Sequence, residues 1–228
     1  MEKVIEAFEM LLSMDRELFQ ILGVTLTMSF FSTVISCLLG MTAGVIIGRR
    51  DFKGKRTVKR ITGTLMGLPP VVAGLIVYML FSKNGPLGAL GLLFTVEVMV
   101  IAQCILITPV VIGITESMTS INAKSISETA KGLNFSKRKT ALLLLSENKQ
   151  ALLSVVLTAF GRSIAEVGAV SLVGGNIQWK TRVMTTAIML ETNKGNFSFA
   201  LALGIVLLLI SLIVNVLASV LVKEDKNA

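Results

Sequence analysis

The 228-residue sequence contains no histidine, two cysteines, four prolines, one tyrosine and one tryptophan. Without histidine it lacks the commonest general base and metal ligand of proteins. Cys37 and Cys104 stand inside apolar runs without CxxC spacing, so we interpret them as small buried side chains and predict neither a disulfide nor a metal site. Nor does it show the paired aspartates or the serine–lysine constellation of an intramembrane enzyme. The sequence therefore predicts no catalytic residue and no cofactor.

Apolar residues make up 53% of the chain, and its mean hydropathy is +0.79. A soluble domain of this length cannot bury so much apolar surface, whereas a bilayer can. The net charge of +8 suggests nucleic acid, but the basic residues cluster beside apolar stretches and few aromatic residues are available for stacking on bases. Residues 1–17 hold five acids and two basic residues, the reverse of a signal peptide. We predict a multi-pass protein of the cell membrane that binds no nucleic acid.

Five apolar stretches are long enough to cross about 30 Å of hydrocarbon, so we predict an all-α integral membrane protein with five transmembrane helices. These spans cover about residues 18–48, 61–81, 90–114, 151–173 and 199–222. Residues 1–17 are predicted to form an amphipathic interfacial helix, residues 18–222 one transmembrane domain, and residues 223–228 a cytoplasmic tail. Because no internal repeat is visible, the rest of any pathway must come from a second copy or another partner.

Two charged segments set the predicted topology. Residues 49–60 hold seven basic residues and one acid, and residues 115–150 hold six basic residues and three acids. Basic loops stay in the cytoplasm, which places the amino terminus outside and the carboxyl terminus inside. For residues 49–60 a nucleic-acid patch is the rival interpretation, but a short loop between two spans favours anionic lipid headgroups.

Several residues inside the predicted spans have structural meaning. Gly40 and Gly44 form a small-xxx-small pair suited to close helix packing. Pro69 and Pro70 interrupt the hydrogen bonds of the second span, so it must kink or unwind, as helices that line transporter pathways do. Glu97 is placed at the outer interface, where it reaches water, with a proton relay as the alternative.

Residues 125–145 are predicted to form a helix, a turn and a second helix, which we call the elbow. Ser125 and Glu128 have capping-box spacing, and Ser136 can cap the second helix. Asn134 can adopt the left-handed conformation that ends the first helix. Such a charged elbow between two spans suits docking to a soluble partner; an ordinary cytoplasmic loop with local helix is the alternative.

Arg162 and Glu166 lie inside the fourth span, where charges are costly, so they must face protein or water. At i and i+4 they share a helix face and can form an ion pair that holds the bundle. The functional alternative is that Arg162 makes a pathway wall attractive to an anion while Glu166 tempers it. Gly161, Ala165 and Gly168 would allow close helix approach.

The predicted outer loop begins where Gly174, Gly175 and Asn176 end the fourth span. Trp179 is an interfacial anchor, and residues 185–190 are expected to form a short re-entrant or surface helix. Lys180 and Arg182 face the side from which an anion would arrive and can steer it weakly, although Lys180 also fits a solvated loop.

The elbow resembles the EAA coupling loop of ABC importer permeases. The family pattern is Glu-Ala-Ala, a later Gly and a terminal Ile-x-Leu-Pro. Here Thr129 replaces the first Ala, Asn134 the Gly, and Ser146-Glu147 the Leu-Pro. Asn retains access to positive φ, so the turn is preserved. The resemblance implies these ATPase-coupling residues: Ser125, Glu128, Thr129, Ala130, Gly132, Leu133 and Asn134.

A second resemblance is to the Arg-x-x-x-Glu-Phe-Gly-Ala … Gly-Asn signature of molybdate, tungstate and sulfate permeases of the ABC class. It is carried by Arg162, Glu166, Gly168, Ala169, Gly175 and Asn176, with Val167 where Phe is usual. Residues 180–188 and Glu191-Thr192 resemble the tungstate branch in particular. With the five-span layout, the resemblance covers roughly residues 18–222.

These resemblances imply a type I ABC importer permease-like fold. Two copies would form the pore, two cytoplasmic ATPase subunits would bind the elbows, and an extracytoplasmic binding protein would deliver tungstate. The chain has no phosphate loop of its own, which agrees with a separate ATPase. The implied pathway and gate candidates are Pro69, Pro70, Arg162, Glu166, Gly168, Gly175 and Asn176. The alternatives are a molybdate or sulfate permease of the same class, or a membrane channel or scaffold that works without an ATPase.

Overall fold

The computed structural model describes residues 5, 6, 9, 15–136, 139–140, 143 and 146–223, which form helices and turns and no β-strand. Ile5, Glu6 and Glu9 are helical. The remaining residues before Asp15 in the predicted amphipathic segment lie outside the described residues, as do residues 224–228 of the predicted tail. The predicted all-α class is confirmed for the described part of the chain.

Eight α-helices and one 3-10 helix are resolved in full within the described ranges. In chain order they are α1 (Arg16–Arg49), α2 (Lys55–Met66), α3 (Pro70–Phe81), the 3-10 helix (Gly88–Leu90), α4 (Val96–Gly132), α5 (Lys149–Ala165), α6 (Gly168–Gly174), α7 (Met184–Asn193) and α8 (Phe197–Lys223).

Three of these helices, α1, α4 and α8, are each long and apolar enough to cross a bilayer. The pairs α2–α3 and α5–α6 are bent by 96° and 56°, and each pair together meets the same criterion. The described residues therefore contain three candidate spans, or five if each bent pair counts as one. The predicted count of five corresponds to the second case.

Several predicted boundaries are wrong for identifiable reasons. The helix α2 begins at Lys55, inside the segment predicted to be a basic loop. The third span begins at Val96, because a 3-10 helix and a turn occupy residues 88–95. It then continues as one 37-residue helix to Gly132, about 55 Å long. Pro109 lies inside α4 without ending it.

The helices α1 and α4 pack along each other in the most extensive contact between described helices, which we call the α1–α4 seam. Gly40, Gly44 and Gly48 of α1 face α4 at every fourth residue. A Cβ added to Gly44 would lie 2.6 Å from Thr115 Cβ and 2.9 Å from the Ile112 carbonyl oxygen. Only glycine permits this approach, so the small-xxx-small prediction is confirmed and extends by one more residue.

The two ends of the molecule carry different contacts. At one end Lys59 of α2 lies 3.0 Å from the buried carboxylate of Glu116 on α4. At the other end Glu17 of α1 forms an ion pair with Arg182, at 2.8 Å. The basic segment 49–60 and the elbow therefore share one end, and the turn that follows α6 lies at the opposite end.

Candidate functional site

The predicted break at Pro69-Pro70 is confirmed. The helix α2 ends at Met66, and α3 begins at Pro70, whose missing N–H costs nothing in the first turn of a helix. Pro69 is extended, and its carbonyl accepts hydrogen bonds from the N–H groups of Val72 and Ala73, at 3.0 and 3.1 Å. The chain thus turns sharply and restarts a helix at the same point.

The fourth predicted span is also broken, which the sequence analysis did not expect. The helix α5 ends at Ala165 and α6 begins at Gly168, so Glu166 lies at the end of one helix and before the next. The Glu166 Oε1 atom accepts hydrogen bonds from the N–H groups of Val167 and Ala169, at 3.1 and 3.3 Å. A carboxylate in this position satisfies the free N–H groups of α6 and favours the break.

The breaks in the two bent pairs lie next to each other, and α3 packs on α6; we call these two helices the paired half-helices. A Cβ added to Gly74 would lie 2.7 Å from Ala169 Cα, and one added to Gly168 would lie 3.0 Å from Val71 Cγ2. The same Gly168 atom would lie 3.4 Å from Pro70 Cβ. The structure therefore brings together Pro70, Glu166 and Gly168, which the sequence analysis placed in one candidate site on separate grounds.

The predicted ion pair between Arg162 and Glu166 is wrong. Because α5 ends at Ala165, the two residues do not share a helix face, and the Glu166 carboxylate is used by the backbone of α6. No described residue pairs with the Arg162 guanidinium, and its Nε atom is buried without a hydrogen-bond partner.

Arg162 instead lines a cavity of about 390 Å³ between α5 and α8. The cavity also has polar walls, formed by Ser154, Thr158, Ser211 and Asn215. The Thr158 hydroxyl and the Asn215 amide donate to backbone carbonyls within their own helices, both at 2.8 Å. Among the described residues, therefore, no carboxylate compensates this guanidinium inside a candidate span, and its chemistry suits a transient anion.

The turn after α6 is held by side chains that the sequence analysis singled out. Gly175 and Asn176 have positive φ values of 68° and 49°, which confirms that they end the helix. The Asn176 side chain accepts a hydrogen bond from the Thr186 hydroxyl at 3.0 Å. Thr181 donates to the Gly174 carbonyl. Asn176 therefore connects the end of α6 to the start of α7.

The helix α7 confirms the predicted short helix at residues 185–190 and extends it in both directions. It is connected to the break in the fourth span, because the Thr185 hydroxyl donates to the Glu166 carbonyl at 2.8 Å. Its N-terminus is connected to α1 through a 2.9 Å hydrogen bond from the Met184 N–H to the Thr25 hydroxyl.

Of the two cations predicted to steer an anion, Arg182 is not free to do so. It is buried and pairs with Glu17, whereas Lys180 is exposed. Trp179 is half exposed and has Arg16 above its ring, 5.9 Å from the centroid. Arg182 is therefore a structural residue that attaches the turn before α7 to α1.

A further ionic cluster fixes the end of α7, which is not among the candidate spans. Glu191 is buried and lies 2.8 Å from both the Lys194 ammonium and the Asn196 amide. Burial alone raises the pKa of Glu191, but the hydrogen bonds from Lys194 and Asn196 and the charges of Lys194 and Arg182 outweigh it. The pKa of the Glu191 carboxyl therefore lies below its ordinary value.

The turn of the elbow is confirmed. The helix α4 ends at Gly132, Asn134 has a φ of 54°, and the Phe135 N–H donates to the Ala130 carbonyl at 2.8 Å. This is the Schellman arrangement, in which a residue with positive φ follows the helix and the N–H of the next residue donates to a carbonyl in the last turn of the helix. Ala130 is buried, while Leu133 is exposed at the turn.

The predicted start of the first elbow helix is wrong. Ser125 and Glu128 lie inside α4, since residues 115–125 contain no glycine or proline to end the preceding span. A capping-box spacing marks a helix start only where the chain is not already helical. Glu128 and Thr129 are exposed on this helix.

The predicted second elbow helix is only partly described. The Ser136 hydroxyl accepts from the Lys139 N–H at 3.3 Å, which confirms it as the cap. Residues 137–138, 141–142 and 144–145 lie outside the described residues.

Two sets of contacts between helices were not expected from the sequence. The fully buried Gln103 of α4 donates through Nε2 to the Ser163 carbonyl at 3.1 Å, and the Ser163 hydroxyl bonds to that of Ser32 on α1, at 2.7 Å. These contacts join α1, α4 and α5 near Arg162. A single glutamine within an apolar stretch was the available signal. The Lys59–Glu116 pair joins residues that are far apart in the sequence, so no local sequence pattern could predict it.

A sequence profile of the family described as "binding-protein-dependent transport system inner membrane component" matches residues 40–224. The chain is 37% identical over 219 residues to the tungstate uptake system permease protein TupB of Peptoclostridium acidaminophilum, covering 94% of this chain and 96% of that protein. It is 40% identical over 210 residues to TupB of Campylobacter jejuni, covering 92% and 88%. It is 28% identical over 197 residues to the sulfate transport system permease protein CysT of Escherichia coli, covering 83% and 71%.

The profile covers most of the sequence, including the bent pair α5–α6, the elbow and the paired half-helices. The two TupB proteins match almost the whole chain at well above 30% identity. With its apolar helices, the chain is a multi-pass protein of the cell membrane, and it belongs to the family of binding-protein-dependent transport system inner membrane components.

Proposed function

We propose that this chain is the membrane-spanning permease subunit of an ATP-driven importer for a tetrahedral oxyanion, and that this anion is tungstate, as it is for its TupB relatives. The observation that carries the proposal is the 37% and 40% identity to two tungstate uptake permeases over more than nine tenths of the chain. Two copies of the chain form the pathway, two cytoplasmic ATPase subunits supply energy, and an extracytoplasmic binding protein delivers the anion.

The proposed orientation has the amino terminus outside and the carboxyl terminus inside. The basic segment 49–60 and the elbow lie at the same end of the molecule, as two cytoplasmic segments must. The turn held by Asn176 and Arg182 then faces the binding protein.

The elbow is the proposed docking site for the ATPase. At the end of α4 it exposes one charged side chain, Glu128, and just after the helix one apolar side chain, Leu133. Such a combination suits a protein interface with an apolar centre and a polar rim. Because α4 is unbroken from Gly132 to Val96, a displacement at the elbow moves the whole helix.

The proposed pathway runs beside the breaks in the two bent pairs. Arg162 attracts the anion: its Nε atom has no hydrogen-bond partner, and no carboxylate in the described part of the chain pairs with its guanidinium. The hydroxyl groups of Ser154, Thr158 and Ser211 already donate to carbonyls of their own helices, so the guanidinium is the main donor to the anion. A single cation binds a dianion weakly enough to release it, which a transport pathway requires. Glu166, Gly168 and Pro70 form the hinge beside it.

Sulfate is the second candidate substrate, because a sulfate permease matches 83% of the chain at lower identity. Competition distinguishes the two. We expect unlabelled tungstate to displace labelled tungstate from uptake by proteoliposomes that hold the complete transporter, while sulfate at equal concentration leaves it nearly unchanged. Equal inhibition by sulfate would reassign the substrate.

The coupling role is tested with Glu128→Lys in the same proteoliposomes. We expect uptake to fall to background and the ATPase to dissociate during purification, because a charge of the wrong sign enters the docking surface. Glu97→Lys is the matched control, since Glu97 is also an exposed acid on α4 but lies at the opposite end of that helix. Normal uptake by Glu128→Lys would favour a channel or scaffold that works without an ATPase.

A further inference from the structure

We infer that a groove along α1 binds one anionic phospholipid, with an acyl chain against the helix and the phosphate at Arg49 and Arg50. The groove has a volume of about 580 Å³ and follows one face of α1 from Thr33 to Arg50, with Val156 of α5 on its side. This inference does not rest on the proposed function.

The apolar part of the groove has the dimensions of an acyl chain in one leaflet. From Val34 to Ile46 it extends over 12 residues of helix, or about 18 Å, and one leaflet of hydrocarbon is about 15 Å thick. Val34, Leu38 and Ile46 line it and are 38%, 67% and 47% exposed. An apolar surface this open is stable only against lipid or protein.

The charged end of the groove selects the headgroup. Arg49 and Arg50 line its mouth, where α1 ends. A guanidinium matches the geometry of a phosphate group better than an ammonium does. The Lys55 ammonium lies beside them and donates to the Gly48 carbonyl at 3.3 Å, but it is paired with the Asp51 carboxylate at 3.1 Å, so the two arginines supply the net charge. A zwitterionic lipid cancels its own phosphate charge, so this cluster favours a lipid with net negative charge.

Two other occupants fit less well. A second copy bound through the same groove would form an isologous contact and place the arginines of both copies on one face, which charge repulsion opposes. The first residues of this chain leave α1 at Asp15, 34 helical residues from the groove mouth, or about 50 Å.

Native mass spectrometry of the full-length protein in detergent tests the site. We expect one phosphatidylglycerol to remain bound more strongly than phosphatidylcholine with the same acyl chains. Arg50→Gln should weaken phosphatidylglycerol binding about fivefold, the contribution of one cation at a membrane surface. Leu38→Trp should weaken it without a change of charge, because the indole fills the groove.

Lys53→Gln is the matched control, because Lys53 is exposed in the same basic segment and does not line the groove. It should leave the affinity unchanged, and melting temperatures of all variants verify that they are folded. Equal binding of the two lipids, or equal weakening by Arg50→Gln and Lys53→Gln, would overturn the inference. Competition by sn-glycerol 3-phosphate at the lipid's own concentration would also overturn it, since the site would then bind a free phosphate.

Discussion

The α1–α4 seam and the paired half-helices both use glycine for close packing, yet they differ in backbone continuity. In the seam, Gly44 lies against Thr115 and both helices continue without a break. In the paired half-helices, Gly74 lies against Ala169, but each helix starts at a break, after Pro69 or Glu166. Met99 of α4, Val77 of α3 and Val173 of α6 belong to one buried cluster, so the two regions also pack on each other. What distinguishes them is the breaks, which determine where the chain can bend.

This difference suggests a division of roles. The seam is a single unit that carries the elbow at its end, so it moves as a whole when the elbow moves. The backbone joins the paired half-helices to α2 and α5 through short breaks, and a change of angle at these breaks would have to shift their packing on α4. We therefore expect the two regions to respond differently to mutation. Added volume in the seam should lower stability most, and changes at the breaks should lower it less.

The largest effect is expected for Gly44→Ala in the seam. The new methyl group would meet Thr115 Cβ at 2.6 Å and the Ile112 carbonyl oxygen at 2.9 Å, and neither can retreat without moving α4. We expect a loss of about 2 kcal/mol in the free energy of unfolding, the usual cost of overpacking. Thermal unfolding in detergent measures it. Gly23→Ala on the same helix has no atom within 4 Å of the new Cβ and should be neutral; equal effects would contradict tight packing of the seam.

A smaller effect is expected for Glu166→Ala at the break between α5 and α6. The substitution removes the acceptor for the N–H groups of Val167 and Ala169, and a lost cap costs about 1 kcal/mol. Glu166→Gln keeps an acceptor oxygen and should retain most of that stability. If the two variants unfold at the same temperature, the carboxylate does not hold the break open.

Asn134→Ala tests the elbow end of the seam. Alanine at a φ of 54° costs about 1 kcal/mol, whereas Asn134→Gly keeps the turn. We expect the alanine variant to fold, because the turn is exposed, and to transport more slowly than wild type in proteoliposomes. Uptake by the glycine variant should equal that of wild type. Slow uptake by both variants would mean that the Asn134 side chain, not the turn, is required.

The smallest effect concerns the pH dependence of α7, which is connected to the break between α5 and α6 through Thr185. Because the pKa of Glu191 is lower in the folded protein, its contribution to stability is complete above its ordinary pKa of 4.5 and is lost as pH falls through the folded value. The difference in unfolding temperature between wild type and Glu191→Gln should therefore shrink below about pH 4. A difference that stays constant or grows on acidification would contradict the lowered pKa.

Local signals in the sequence predicted some features correctly. Two adjacent prolines forced a break at Pro69, and Asn134 and Asn176 both adopt the positive φ that their positions required. The long apolar stretches predicted α1, α4 and α8. The predicted ends of these helices differ from the observed ends by a few residues, except that α4 continues into the elbow.

The remaining features depend on contacts between distant residues. The break at Glu166 was missed because its carboxylate is satisfied by the backbone of α6, while its sequence spacing from Arg162 fits an uninterrupted helix equally well. Arg182 was assigned to solvent because its partner, Glu17, lies 165 residues away. Gly48 was not recognised as a packing residue because its partner helix had been predicted to end before Thr119.

The most direct test of the division between seam and paired half-helices is a pair of distances measured by pulsed electron paramagnetic resonance in the complete transporter, with one labelled copy per complex and Cys37 and Cys104 replaced. Labels at the exposed residues Thr42 and Ile121 report on the seam, and labels at Met79 and Ile121 report on α3 relative to α4. When ATP is added, we predict that the Thr42–Ile121 distance stays the same and the Met79–Ile121 distance changes by several ångströms. A change in the first distance, or none in the second, would contradict the account.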